Sequence, residues 1–178
     1  MKITLELSKS SIKKALRGVR NYENTLRLKS QLLIERLLEV GISVAYQHTG
    51  KYEGYVEFTK EIDIGDKQIV GVLIGRDLKP FISEWKFKGG KRSVEVSGLL
   101  MLEFGSGWLA DVRWDVPGVG QGTFPGQTHA TDPDGWWWED LDGYKHHSIG
   151  EVPQYPMYNA DMRMIEQIDA IAKEVFSL

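Results

Sequence analysis

The residues of this chain that could do chemistry are four histidines, His48, His129, His146 and His147, and the carboxylates near them, Asp132, Asp134, Glu139 and Asp140. His129, one of the adjacent pair and Asp132 or Asp134 would make a His/carboxylate metal set, but the spacings match no zinc pattern. Ser106, His129 and Asp132 can be drawn as a triad, yet Gly105-Ser106-Gly107 falls short of a nucleophile elbow. The glycines 118, 120 and 122 precede no Lys-Ser/Thr pair, so they do not read as a phosphate loop. Acids beside aromatics suit a glycan groove, whereas acids beside turns ordinarily bond the nearby backbone. The plainer reading prevails throughout: no catalytic residue, metal site or cofactor is expected, and the chain is not read as an enzyme.

The stretch GWWWEDLDGYKHHSIG, residues 135–150, holds half of the six tryptophans. As a strand, turn and return strand, it sends alternate side chains to opposite faces. Trp136 and Trp138 then share one face and Trp137 takes the other, and His146 and His147 are separated in the same way. One face can join the core; the opposite one needs cover from another element, a ligand or another subunit. Large aromatics with a polar rim are what protein interfaces favour.

The elements that position these groups follow from patterning across 178 residues. Ile3, Leu5 and Leu7 alternate as a half-buried strand. Ile12, Leu16, Val19, Leu26, Leu33, Leu37 and Val40 then recur at helical spacings. This predicts a long amphipathic helix over about residues 10–40, with room for a kink between Gly18 and Asn21 and Gly41 as its C-terminal cap. Its polar face carries Lys13, Lys14, Arg17, Arg20, Lys29 and Arg36. Residues 55–62 and 67–75 read as a hairpin, with Val56, Phe58 and Ile62 on one face and the second strand the more deeply buried. Two further strands, 82–87 and 93–97, flank the Gly89-Gly90 turn. Residues 98–107 form a compact apolar piece closed by glycines. An extended Gly/Pro loop spans about 108–135, and a closing helix starts near Pro156. The fold class is α+β: strand and long helix, antiparallel meander and hairpins packed on it, and a C-terminal helix, all in a single domain over 1–178.

Composition narrows the function further. The net charge of −3 argues against a binder driven by phosphate neutralisation. The cluster Lys86, Lys88, Lys91 and Arg92 reads as a solvated turn. The absence of cysteine removes disulfides, thiolate metal sites and Cys nucleophiles, and fits a reducing cytoplasm. No apolar run has the length of a signal peptide core or a membrane span.

In order, Leu102-Glu-Phe-Gly-Ser-Gly107, a Gly/Pro loop, Gly135-Trp-Trp-Trp, a His-bearing hairpin and Gly150-Glu-Val-Pro-Gln-Tyr-Pro-Met-Tyr-Asn-Ala160 lead into a terminal helix. This succession resembles the neck or tail-completion proteins of long-tailed bacteriophages and prophages, variously labelled tail-component, minor capsid or head–tail joining proteins. The resemblance covers nearly the whole chain, including the N-terminal strand and Lys-rich helix. It departs at Ser106, where Thr is usual, and at Gln154-Tyr155, where Ala-Arg is usual. It implies a structural virion protein: a subunit of a homo-oligomeric ring joining head and tail. Its partners would be head-closure or connector proteins and tail terminator or tail-tube proteins. DNA would meet it only by passing through a lumen, and no membrane is involved. The expected location is the virion neck or tail, reached from the host cytoplasm during assembly. The expected contact residues are Trp108, Trp114, Phe124, Trp136, Trp137, Trp138 and Tyr144. The alternatives are a carbohydrate-binding module using the Trp136–Trp138 face and a hydrolase using His129.

Overall fold

The structure is a computed structural model that describes residues 8–79, 81–87, 89–111 and 132–177. Its architecture is α+β. The expected N-terminal strand at residues 3–7 and most of the Gly/Pro loop, 112–131, lie outside the described residues.

Helix α1 runs from Lys9 to Gln47, 39 residues without a break through Gly18. At about 1.5 Å per residue it is roughly 58 Å long. Ser8 caps its start, its hydroxyl accepting from the Ser11 amide. The expected stop at Gly41 is corrected. The helix continues for more than a turn and a half, and Gly41 lies buried where α1 meets α3 (Pro156–Ser177). A Cβ at this position would stand 2.8 Å from Met164 Sδ. The glycine therefore serves close approach of two helices, which a sequence pattern does not distinguish from a cap. The helices run antiparallel, as the Gly41–Met164 approach and the Arg36–Glu174 ion pair show.

Strands β1 (Val56–Ile64) and β2 (Ile69–Asp77) form an antiparallel hairpin with Ile64 opposite Ile69. Even-numbered β1 residues face the helices, and Val56 and Phe58 are buried, as their spacing predicts. The expectation that β2 is the more buried strand is corrected: Val70 and Val72 are exposed. A two-stranded sheet covered on one face leaves alternate residues in water, however apolar the run. Lys60 fastens the hairpin to α1 through Glu39 at 2.9 Å, and this bond raises the ammonium's pKa. At the hairpin tip Arg27 donates to the carbonyl of Gly65 at 3.1 Å.

Strands β3 (Phe81–Phe87) and β4 (Gly90–Val96) pair as the Gly89-Gly90 turn predicts. Helix α2 (Gly98–Phe104) follows, capped by the Ser97 hydroxyl. The core lies where these elements meet and consists of Ala45, Tyr52, Val56, Phe58, Val96, Met101, Leu102 and Ala160, with Ile42, Leu73, Leu99 and Met157 packed against it. Strand β5 (Ser106–Gly107) pairs with β8 (Gly150–Glu151), while β6 (Trp136–Glu139) and β7 (Lys145–Ser148) form the aromatic hairpin. Lys86 opposite Glu139 joins that hairpin to β3, giving the sheet order β4-β3-β6-β7.

Candidate functional site

The aromatic hairpin carries four of the expected contact residues. Trp136 pairs with Ser148, Trp137 with His147 and Trp138 with His146. The alternation divides the triplet as expected: Trp137 is 71% exposed, whereas Trp136 and Trp138 are half-buried. The latter face does not enter the core; its cover includes the imidazole of His146, stacked on Trp138 at 4.4 Å between centroids. On the opposite face His147 lies 4.8 Å from Trp137, tilted by 32°. The row of three rings needed for an extended stacking platform is therefore not formed.

The turn explains why this hairpin holds its shape. Asp140 accepts from the amides of Asp142 at 3.0 Å and Tyr144 at 2.9 Å. Its other oxygen meets His146 Nε2 at 2.8 Å. The His146 bond, followed by the two amide bonds, holds the Asp140 carboxyl below its ordinary pKa. At the other end His147 Nε2 reaches the Asp134 carbonyl at 2.7 Å. Both histidines thus brace the hairpin, on opposite faces. Tyr144, just past the turn, is 70% exposed. Trp108 is also exposed, and its amide donates to the Ile149 carbonyl at 2.9 Å, which places it at the hairpin's far end. Trp114 and Phe124 lie outside the described residues.

The chemistry of the alternatives finds little support in this geometry. Ser106 is buried within the β5–β8 pairing, closed to a substrate. Asp132 bonds the amide of Asp134 in a local turn, and His129 lies outside the described residues. Among the described residues no group of three or more His, Asp or Glu side chains is placed to hold a metal ion. No described helix is long and apolar enough to cross a membrane.

The two short motifs that bracket the loop and hairpin meet in space, which their separation in sequence conceals. Glu103 caps the start of α3, accepting from the amides of Met157 at 2.8 Å and Tyr158 at 3.0 Å. Burial holds its pKa above the ordinary value, and those two bonds offset only part of the rise. The Leu102 carbonyl accepts from both Gln154 and Tyr155 amides. Tyr155 holds φ at 54°, the one non-glycine residue with positive φ among those described, and its hydroxyl donates to buried Asp111 at 2.8 Å. This strained residue stands at the last position before α3. Glu151 accepts from the Tyr52 hydroxyl at 2.8 Å and pairs with Lys51 at 2.9 Å. Burial, with the Glu151 bond second, holds the Tyr52 phenol protonated far above its usual range. Gly150, at φ 113°, completes the junction, because a Cβ there would overlap the Ser106 carbonyl. Sequence reasoning assigned no role to Glu103, Asp111, Tyr52 or Glu151; the quoted motifs were the signal, since they contain two of the four.

Comparison with protein-family models, with curated proteins and with solved structures finds no match for this chain.

Proposed function

We propose that the chain is a non-enzymatic structural subunit of the neck or tail-completion ring of a tailed phage or prophage, with the aromatic hairpin as a contact surface. The observation that carries this reading is Trp137. An indole 71% exposed on a strand braced from both ends is a preformed apolar anchor. Burial of such an anchor in a partner is the usual origin of a strong interface residue. Tyr144 and Trp108 add exposed aromatic surface on the same hairpin and at its end. The order of motifs supports the same reading, because the elements before and after the hairpin lock together and present it. Its partners would be neighbouring subunits, head-closure or connector proteins, and tail terminator or tail-tube proteins.

Trp137→Ala tests the proposal. The variant should keep its thermal unfolding midpoint, since the ring lies in water, and lose about 30-fold or more in partner affinity. Head–tail joining by the purified variant in a reconstitution assay should fall accordingly. Normal joining by a Trp137→Ala/Tyr144→Ala double variant would overturn the reading.

A further inference from the structure

Helix α1 carries one apolar stripe along its whole length, but only part of it is covered. Ile12, Val19, Leu26, Leu33 and Val40 recur every seven residues. From Lys29 onward α3 and the β1–β2 hairpin cover the helix. From Lys9 to Leu28 no residue is buried, and Ile12, Leu16, Val19, Tyr22 and Leu26 are all exposed. The segment before Arg27, which marks the hairpin tip, is 18 residues, or about 27 Å of helix. Residues 9–29 hold 7 of the chain's 22 Lys and Arg and 1 of its 25 Asp and Glu, a charge of +6. The other residues therefore hold 15 against 24, a charge of −9.

A matching surface exists elsewhere on the same chain. The outer side of α3 exposes Tyr158, Met162, Ile165 and Ile168 together with Asp161 and Asp169. Beside it, between α1, the edge of β2 and α3, lies an apolar groove of about 460 Å³ lined by Ile34, Leu37, Val72, Met164, Ile165 and Asp161. The 22 residues of α3 span about 33 Å, enough to lie along the whole arm.

We infer that the basic arm, Lys9–Leu26, docks on the α3 face and adjoining groove of a second copy of this chain. Apolar stripe meets apolar stripe, and Lys13, Lys14, Arg17 and Arg20 meet a surface bearing Asp161 and Asp169. Pairing of two arms is disfavoured on two counts: it sets +4 against +4, since residues 9–26 hold 5 Lys and Arg and 1 Glu, and Glu23 and Ser30 interrupt the second row of a heptad seam between Leu16 and Leu37. The docking contact joins different surfaces on the two copies, so it propagates from copy to copy and closes only as a ring. The inference deepens the ring reading and rests on it for the closed form; the contact itself is a property of the free chain.

Sedimentation velocity on the full chain tests it. The chain should self-associate with concentration, and association should weaken about tenfold between 0.05 and 0.5 M salt. Leu16→Asp, on the arm, and Ile165→Asp, on α3, should each leave the circular dichroism unchanged and weaken association more than about 100-fold. Mixed together, the two variants should form a 1:1 dimer and nothing larger, because one intact arm and one intact α3 face remain. Self-association of Ile165→Asp at the level of the parent chain would overturn the inference in favour of arm–arm pairing, as would a parent chain monomeric at every concentration. Failure of head–tail joining by Trp137→Ala is read separately, since Trp137 is on neither surface.

Discussion

The two halves of α1 share one pattern and meet opposite fates. In the C-terminal half, Leu38 is 4% exposed and Ala45 is fully buried, held against the hairpin and α3. In the N-terminal half, Leu16 is 56% exposed on a continuation of the same stripe. The difference is one of company: among the described residues the hairpin turns back near Gly65, beside Arg27, and α3 meets α1 at Arg36 and Gly41, so both lie against the C-terminal half. An apolar stripe states which face must be covered, and the positions of the other elements decide how much of it is.

The sharpest way to break this comparison is to truncate one leucine in each half. Leu38→Ala should destabilise the fold by about 2–5 kcal/mol, since it leaves a cavity in a packed site. Leu16→Ala should change the stability of the monomer by less than about 0.5 kcal/mol. Chemical unfolding of both variants at low concentration measures the difference, and equal losses would show that the arm is packed after all. A smaller effect is expected at the motif junction. Glu103→Ala removes both acceptors from the first turn of α3 and should cost about 1–2 kcal/mol, read as a lowered unfolding midpoint.

The smallest effect should come from acid acting on the hairpin turn. The folded pKa of Asp140 is depressed, so its contribution is complete above the unfolded value of about 3.9 and is lost as pH falls through the lower folded value. Tryptophan fluorescence should therefore report a local change only below about pH 4, while far-ultraviolet dichroism from the helices stays constant. Asp140→Asn should abolish that step. A fluorescence transition centred well above pH 4 would show that another group controls the turn.

Much of the candidate site was legible because it depends on local geometry. Alternation along a strand is enough to separate Trp137 from its neighbours and His146 from His147, and the paired strands place them so. The Gly89-Gly90 turn and the start of α3 at Pro156 were likewise written in local chemistry. Gly41 was misread because a helix cap and a helix–helix crossing both call for a residue without a side chain. The burial of β2 was misread because an apolar run does not state whether one face or two will be covered.

By itself, then, the sequence determined the elements, their faces and the turn chemistry, all of which act over a few residues. Only the tertiary structure decided that Glu103 caps a helix more than fifty residues away, that Glu151 serves Tyr52, and that the aromatic hairpin extends the β3–β4 sheet. It also decided where the stripe of α1 runs out of cover. Such pairings depend on which long-range arrangement buries the most apolar surface while satisfying every buried polar group. That is a property of the whole packed chain, and no window of sequence contains it.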